Sequence, residues 1–352
     1  MKNRKIIVAC DSYKGCMSSR EVNAAVAEAL QTEAARRGAD VSVVQLEMSD
    51  GGEGMLDAFL AAMGGERVGM MAHDALMRVV EVEYGLSGGT AVVEIAQAAG
   101  LARIEPEQRN PMRATSYGVG EMVMDAWRRG VRDFIVGLGG SATSDCGIGM
   151  LRAMGDDWHR VARECRFTLA SDVTSPLYGP GGAARVFAPQ KGADAVMVES
   201  LDARARRFAD VCARHFGYDR SQEPGAGAAG GLGYAFMQFF NARQEAGAEL
   251  LLDRIDFDDI LRGADLVITG EGHSDSQTLM GKLPQRILGR ASRAAVPVWL
   301  VSGGIDNATA MTAAGFARVM AVTPKCMPLV EAMKKDAARR NIASSLRDCF
   351  VE

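Results

Sequence analysis

The sequence predicts an α/β protein with two α/β domains: a discontinuous, doubly wound (Rossmann- or flavodoxin-like) parallel-sheet domain, and a second, mixed α/β domain inserted into it. A chain of 352 residues is long for one domain. At both ends of the chain, short apolar runs alternate with amphipathic stretches, a pattern typical of a parallel sheet covered by helices. In the middle, apolar and polar residues alternate one by one, which is typical of antiparallel hairpins.

The discontinuous domain is predicted to comprise residues 1–66 and 255–352. Lys5 to Cys10 form an apolar, β-branched run, and Ser18 or Ser19 can cap a helix over about 20–37. Further strands are predicted at 41–48, 265–269, 296–301 and 317–322, with a second helix that ends near Met63. These runs are followed by loops of small or polar residues. Because ligands of such sheets bind beyond the carboxyl ends of the strands, the loops are predicted to share one functional rim.

The inserted domain is predicted to comprise residues 67–254. Alternation over 67–95 predicts hairpins, and a helix over about 116–129 follows. Shorter strands are predicted at 166–171 and 184–187, then a helix over about 199–216 and the glycine-dense segment 224–233.

The stretch Asp133 to Gly149, DFIVGLGGSATSDCGIG, predicts a strand, a loop of small residues and a helix start. Glycine amides and a helix N-terminus favour an anion. The predicted anion-binding residues are Gly139, Gly140, Ser141, Ala142 and Thr143, and Asp145 is predicted to orient a metal or a substrate hydroxyl. The alternative is a glycine-rich turn that only closes a βα unit. Although the loop fits G-x-G-x-x-A, no second strand ending in an acid follows it and the chain has no Walker loop, so a dinucleotide site is not indicated.

Charged residues follow several of the predicted strands. In DSYKG, Lys14 lies beside Asp11 and Ser12, a position suited to clamping a phosphoryl group or a carboxylate, although a surface lysine in a turn is the alternative. Asp50 and Glu53 begin a helix, where they can orient Mg²⁺ or a hydroxyl, or, in the case of Glu53, only complement the helix dipole. Asp172 and Asp275 lie among small hydroxyl residues, where turn and cap roles are common.

Composition excludes several classes of function. The net charge of -4 gives no basic surface for nucleic acid. No stretch approaches a membrane span, and the N-terminus shows no signal peptide. Seven cysteines and four histidines lack metal-site spacing, which fits reduced thiols in a cytoplasmic protein.

Seven ordered motifs between residue 5 and about residue 325 resemble the bacterial glycerate kinase family of the glyoxylate and glucarate pathway type, whose members are D-glycerate 2-kinase-like. They are KIIVACDSYKG, SDGGEG, NPMRATSYGVGE, GLGGSATSDCGIGMLRAMG, DVTSPLYGPGGAARVFAPQKGA, PGAGAAGGLG and DLVITGEGHSDSQTLMGK. The resemblance implies an ATP- and Mg²⁺-dependent kinase that phosphorylates D-glycerate, or a related hydroxy acid, in a cleft between two α/β domains. Family members of this kind are associated with 2-phosphoglycerate as product.

Under this hypothesis, Lys14 contacts the phosphoryl group or the carboxylate, Asp50 and Asp145 hold Mg²⁺, and Asp172 and Asp275 compete as the base. The further phosphate- or substrate-binding candidates are Asp11, Ser12, Lys191, Gly270, Glu271, Gln277, Thr278 and Lys282. The sequence does not distinguish a loop for ATP from a loop for substrate, or a monomer from a homodimer. A non-catalytic sugar-acid-binding protein and an NAD(P)-dependent oxidoreductase are the alternative functions.

The chain departs from the family pattern in two ways. The segment between Gly155 and Arg166 is shorter than usual. Four motif positions also differ: Ser144 and Cys146 stand where the family usually has Asn and Gly, Ser175 where it has Asn, and His273 where it has Arg. Histidine cannot offer the bidentate fork of arginine to an anion.

Overall fold

The structure is a computed structural model that describes residues 4–52 and 54–349. The chain folds into two compact units, which are here called the first unit (Met1–Asp50 with Ala248–Glu352) and the second unit (Gly51–Gly247). Glu53, one of the carboxylates predicted to begin a helix, lies outside the described residues.

The amino-terminal part of the first unit contains β1 (Arg4–Cys10), α1 (Ser19–Arg36) and β2 (Val41–Gln45). Ser18 caps α1 in a capping box with Glu21, as its position before the amphipathic run predicts. The elements of the middle of the chain are α2 (Met55–Met63), β3 (Glu66–His73), β4 (Val79–Ser87), β5 (Thr90–Glu94), α3 (Ala96–Ala99), α4 (Tyr117–Arg128), β6 (Asp133–Gly137), α5 (Ile148–Met154), α6 (Trp158–Glu164), β7 (Arg166–Ala170), α7 (Ala183–Phe187), α8 (Ala195–Phe216), α9 (Ala228–Phe240) and β8 (Arg243–Glu245).

The carboxyl-terminal part begins at the boundary between the units. Its elements are α10 (Gly247–Arg254), α11 (Phe257–Ile260), β9 (Leu266–Gly270), β10 (His273–Ser274), α12 (Leu283–Arg293), β11 (Val298–Ser302), β12 (Gly304–Ile305), α13 (Ala308–Ala314), β13 (Arg318–Ala321), α14 (Leu329–Ala332) and α15 (Lys335–Cys349). Single 3-10 turns also occur, among them Pro189–Lys191 and Thr278–Met280.

The sheet of the first unit is parallel, with the order β2-β1-β9-β11-β13. When only the strands of this sheet are numbered along the chain, that is the flavodoxin-like order 2-1-3-4-5, which confirms the predicted fold class. Ile6, Val8 and Cys10 of β1 pack in one apolar cluster with residues of α1 and α15, and α12 packs on β9 and β11. The strand order reverses between β1 and β9, so ligands of such a sheet are expected beyond the carboxyl ends of these two strands.

The second unit contains a six-stranded mixed sheet with the order β3-β4-β5-β6-β7-β8. β3, β4 and β5 are antiparallel neighbours, as the alternation over 67–95 predicts, and β5 to β8 are parallel. The strand predicted at 184–187 is wrong: these residues belong to α7, where the amide of Ala188 donates to the carbonyl of Ala184. Alanine and arginine in AARVF favour a helix, and the apolar pair that suggested a strand is too short to override them.

The predicted domain bounds of 66/67 and 254/255 differ from the bounds of the two units and stay a prediction. The main difference concerns α2, which packs against β4 and β5 and therefore belongs with the second unit. The shortened segment after Gly155 still forms a helix, α6.

Candidate active site

A buried pair of acidic residues lies at the carboxyl edge of the first unit's sheet. Asp11 follows β1 and Glu271 follows β9, and they are only 5% and 8% exposed. The amide of Asp11 donates to the carbonyl oxygen of Gly270 over 2.8 Å. A Cβ atom on Gly270 would lie 1.6 Å from the carbonyl oxygen of Val301 in β11. Only glycine therefore lets β9 and β11 approach each other at this point.

The pair carries an excess of negative charge. Burial, and then the charges of Asp50 and Glu271, raise the pKa of Asp11 to about 7, although the amide of Ser12 and the charge of Lys14 oppose the shift. The Lys14 ammonium lies 3.7 Å from an Asp50 carboxylate oxygen, and this carboxylate is the main reason why the pKa of Lys14 is raised. Lys14 is mostly exposed, and a further cation would lower the mutual repulsion of Asp11, Asp50 and Glu271.

Glu271 is held in a fixed orientation by hydroxyl groups. Its Oε1 accepts hydrogen bonds from Thr278 Oγ1 over 2.6 Å and from Ser274 Oγ over 3.2 Å. Ser274 in turn shares a hydrogen bond of 2.8 Å with Ser302. Because Oε1 is anchored, Oε2 is the oxygen left for a ligand, and it lies 3.6 Å from the ammonium of Lys282.

Asp275 and Gln277 form a turn beside this group. Asp275 Oδ1 accepts from the amides of Gln277 and Thr278, which is the turn role that its neighbours in sequence allow. Its carboxylate lies 3.9 Å from the Lys282 ammonium. Gln277 itself is exposed. His273, which replaces the family's arginine, forms a 2.7 Å contact through Nε2 with Asp306, and both side chains are mostly exposed.

In the second unit, a buried lysine holds the glycine loop that follows β6. Lys191 is 2% exposed, and its ammonium donates to Ser141 Oγ over 2.8 Å and to the Thr143 carbonyl over 2.7 Å. Burial lowers the pKa of Lys191 to about 7, opposed by the charge of Asp145. Among the described residues, both hydrogen-bond partners of this ammonium are neutral groups, so an anion could still compensate its charge.

The loop offers fewer amides to an anion than its glycines suggest. The amide of Ala142 donates to the Ala99 carbonyl and is not available. In the part of the chain that the structure describes, the amides of Gly139, Gly140, Ser141 and Thr143 have no acceptor. Gly139 also serves packing, because a Cβ atom there would lie 2.6 Å from the Cα atom of Gly52.

Asp145 lies three residues before α5. The sequence predicts that the N-terminus of this helix attracts an external anion. The Asp145 carboxylate accepts from the amides of Ser116, Gly147 and Gly149, and from the hydroxyls of Ser116 and Thr115. The negative charge that this helix start favours is thus supplied by the chain itself. The contacts give Asp145 a structural role, and its role as a metal ligand stays a prediction.

Asp172, the other predicted base, follows β7 in the second unit and is exposed. The structure therefore places the predicted site residues in two groups, and each group belongs to one unit. The group of the first unit contains Asp11, Ser12, Lys14, Asp50, Gly270, Glu271, Asp275, Gln277, Thr278 and Lys282. The group of the second unit contains Gly139, Gly140, Ser141, Ala142, Thr143, Asp145, Asp172 and Lys191.

Comparison with known proteins identifies the family. The model of the glycerate kinase family matches residues 6–161 and 156–349. The chain belongs to the glycerate kinase family.

Two relatives and one solved structure illustrate the similarity within the glycerate kinase family. A glycerate kinase of Halalkalibacterium halodurans is 35% identical over 96% of this chain and 97% of its own length. The glycerate 2-kinase of Escherichia coli is 34% identical over 97% of this chain and 98% of its own. The crystal structure of a candidate glycerate kinase 2 from Salmonella typhimurium LT2 is similar with a TM-score of 0.81 and 35% identity, over 99% of this chain and 98% of that one. These comparisons favour neither the sugar-acid-binding alternative nor the oxidoreductase.

The acidic group of this glycerate kinase family member fits Mg²⁺ in one particular form. Within residues 4–52 and 54–349, no three His, Cys, Asp or Glu side chains converge closely enough to hold a metal ion alone. Mg²⁺, however, is usually held by one or two carboxylates together with waters and substrate phosphates. Asp11, Asp50 and Glu271 supply hard oxygen atoms of this kind, and a cation would offset the charges of Asp50 and Glu271, which add to the effect of burial in raising the pKa of Asp11.

The sequence does not reveal the residues that hold Asp145 and Glu271 in place. Ser116 lies in the motif NPMRATSYGVGE, but nothing in the motif shows that its hydroxyl and amide bind Asp145. Ser274 and Ser302 hold Glu271, and the small-residue loops after β9 and β11 are the signal that could have indicated them. In the described residues, no helix is long and apolar enough to cross a membrane. The free thiols are Cys10, Cys16, Cys146, Cys165, Cys212 and Cys326.

Proposed function

We propose that this protein transfers the γ-phosphoryl group of ATP to a hydroxyl of D-glycerate and forms 2-phosphoglycerate. The observation that carries the proposal is the group of carboxylates and lysines at the sheet edge of the first unit, in a chain of the glycerate kinase family. Phosphoryl transfer depends mainly on positioning and on neutralising phosphate charge, and these residues are suited to both tasks.

In the first unit, Lys14 and Lys282 neutralise charge on the phosphates of the nucleotide. One or two of the carboxylates of Asp11, Asp50 and Glu271 would hold Mg²⁺, and the ion would supply positive charge that neutralises the phosphates. Thr278 and Ser274 keep Glu271 in one orientation, so that its free oxygen is already in place when the nucleotide binds.

In the second unit, the glycine loop binds an anionic group of a substrate. The free amides of Gly139, Gly140, Ser141 and Thr143 are the donors, and Lys191 adds a positive charge behind them. Limited proteolysis tests whether this anion is the carboxylate of glycerate or a phosphate. If it is the carboxylate, D-glycerate should protect the loop from cleavage and pyrophosphate should not.

Asp172 and Asp275 remain the candidates for the base that receives the hydroxyl proton. Replacing the true base by asparagine is expected to lower kcat by about 10²- to 10⁴-fold and to leave the Kd for ADP nearly unchanged. If Asp172→Asn and Asp275→Asn both retain a near-normal kcat, neither aspartate is the base.

The proposed reaction is tested with purified protein, ATP, Mg²⁺ and a panel of hydroxy acids that includes both glycerate enantiomers. ADP formation with D-glycerate is the expected result. Adding enolase without phosphoglycerate mutase identifies the product, because enolase accepts 2-phosphoglycerate directly and 3-phosphoglycerate only after isomerisation. Phosphoenolpyruvate formation supports the 2-phosphorylated product; its absence together with ADP formation would contradict it.

No ADP formation with any acid of the panel, in a folded protein that binds D-glycerate tightly, would contradict the kinase and favour a binding protein. A cytoplasmic location, and a monomeric or homodimeric state, stay predictions from the sequence. Size-exclusion chromatography with light scattering tests the second of these.

A further inference from the structure

A cavity of about 410 Å³ lies in the first unit beside the carboxylates and lysines of the candidate active site. One wall is apolar and consists of Met327, Leu329, Ala332 and Met333 in and around α14. Asp11, Glu271, Lys14 and Lys282 line its polar side. The cavity thus combines an apolar compartment with a charged one, all within a single unit.

The apolar wall has no cover among the described residues of the chain. The Leu329 side chain is 75% exposed and that of Met333 is 39% exposed. Large exposed apolar side chains beside a cavity are a feature of ligand-binding sites, because the ligand supplies the surface that covers them.

A buried hydroxyl gives a second, independent indication of a ligand. Ser12 lines the cavity and is 9% exposed, and its Oγ has no hydrogen-bond partner in the described part of the chain. Leaving a buried hydroxyl without a partner costs about 1–3 kcal/mol, so a polar atom of a ligand at this position would recover stability.

The location of the cavity favours a nucleotide. Its lining includes Ser12 after β1, Gly272 after β9, Gly303 after β11 and Thr323 after β13, so it lies beyond the carboxyl ends of four parallel strands. β1 and β9 are the strands between which the order of the sheet reverses, and such switch points hold the ligand in open parallel sheets.

The size and chemistry of the cavity distinguish the two substrates. A three-carbon hydroxy acid has no apolar surface to place against Met327 and Leu329, and it would fill only a small part of about 410 Å³. A purine ring is flat and weakly polar, its ribose offers hydroxyls, and its phosphates need cations. We propose that this cavity binds the purine and ribose of the ATP or ADP used in the proposed function, with Lys14 and Lys282 on the phosphate side.

The test compares two neighbouring exposed residues. Leu329 lines the cavity, whereas Val330 does not, although it is 80% exposed. Leu329→Asp is expected to raise the Kd for ADP, measured by isothermal titration calorimetry, by about fivefold, because it places a charge against the ring. Val330→Asp, the matched control, leaves the Kd within about twofold, since its side chain does not face the ligand.

A second variant fills the cavity. Ala332→Trp is expected to raise the Kd for ADP by at least about tenfold and to leave the inhibition constant of pyrophosphate, which lacks purine and ribose, within about twofold. Thermal unfolding of both variants confirms that they are folded. An unchanged Kd for ADP in folded Ala332→Trp, or an equal loss for ADP and pyrophosphate, would overturn the assignment.

The inference rests on the proposed function, but the two can fail separately. If the wild type phosphorylates D-glycerate while Ala332→Trp binds ADP normally, the cavity assignment is wrong and the kinase stands. If the wild type binds ADP in this cavity and never forms ADP from ATP with any acid, the cavity assignment stands and the kinase is wrong.

Discussion

The two units use their charged residues in different ways. In the first unit, the carboxylates of Asp11, Asp50 and Glu271 lie near one another and near Lys14 and Lys282, and the charges of Asp50 and Glu271 act against that of Asp11. In the second unit, five donors satisfy Asp145, and the ammonium of Lys191 is bound to neutral oxygen atoms.

The difference separates carboxylates that repel one another from a carboxylate that the chain's own donors stabilise. A carboxylate with a raised pKa and carboxylate neighbours lowers stability unless a cation joins it, which is common at functional sites. A carboxylate with several amide donors stabilises the fold that supplies them. Replacing Asp11 in the first unit should therefore lower turnover more than stability. Replacing Asp145 in the second unit should lower stability more than turnover.

Asp11→Asn is expected to have the largest effect on turnover. Because Asp11 adjoins Lys14, which is proposed to bind phosphate, kcat should fall by about 10²- to 10³-fold. Stability should not fall at pH 8. The pKa of Asp11 is raised to about 7 in the folded protein, so its contribution to stability is full below the unfolded pKa and lost as the pH rises through about 7. Asparagine removes that loss, and the midpoint of thermal unfolding at pH 8 should be equal or higher.

The control for Asp11→Asn is Asp265→Asn. Asp265 precedes β9 at the opposite edge of the same sheet, where it accepts from the amide of Lys5. Turnover of this variant should stay within about twofold of the wild type, because exposed substitutions away from a site have small effects. A similar loss of kcat in both variants would mean that Asp11 has no greater role in turnover than an acidic residue at the other edge of the sheet.

Asp145→Asn is expected to have the largest effect on stability. An amide side chain can accept through only one of its two terminal atoms, so some of the donors from Ser116, Gly147 and Gly149 lose their partner. The free energy of unfolding, measured with urea, should fall by about 1.5–3 kcal/mol, the range for hydrogen bonds to charged groups.

Asp133→Asn is the matched control for Asp145→Asn. Asp133 forms a surface ion pair with Arg166 in the same unit, in which both side chains are well exposed. Removing such a pair should cost less than about 1 kcal/mol. If the two variants lose the same stability, the hydrogen bonds of Asp145 do not organise the loop in the way that the structure indicates.

The sequence allows the functional rim of the first unit to be predicted, because strand ends can be recognised locally. Lys5 to Cys10 are followed at once by Asp11 and Lys14, and Leu266–Gly270 by Glu271, and parallel strands bring such loops together. Lys191 shows the limit of this approach. It lies 48 residues from Thr143, and a lysine beside a glycine in sequence does not reveal that its ammonium is buried against that residue's carbonyl.

Two further local patterns show the same limit of what the sequence reveals. The sequence predicts a helix start at α5 that is open to an anion, but Asp145, only three residues before the helix, already satisfies its amides. The strand predicted at 184–187 rests on two apolar residues, whereas α7 is fixed by its packing against α8 and α9. In both cases, side-chain contacts that the local pattern does not reveal decide between structures that this pattern allows equally.

Thr278→Val tests whether the orientation of Glu271 matters. Valine has nearly the shape of threonine but removes the hydroxyl that donates to Glu271 Oε1 over 2.6 Å. We expect kcat to fall by about tenfold, which corresponds to about 1.4 kcal/mol of lost positioning. Thr278→Ser keeps the hydroxyl and should retain most of the activity. Equal losses in the two variants would show that packing of the methyl group, and not the hydrogen bond, is what Glu271 requires.

Lys191→Met is expected to change how stability depends on pH. The pKa of Lys191 is lowered to about 7 in the folded protein, whereas the unfolded chain holds the proton up to about 10.4. Its contribution to stability is therefore present above the unfolded pKa and lost as the pH falls through about 7. Between pH 7 and pH 9.5, the unfolding midpoint of the wild type should rise relative to that of Lys191→Met by about 2 °C per pH unit.

The surface variant Lys335→Met, which removes an exposed pair with Glu21, should follow the wild type. Parallel curves for the wild type and Lys191→Met, in a buffer without phosphate, would mean that the lysine already has a compensating anion from the chain, and the glycine loop would then need no anion from a substrate.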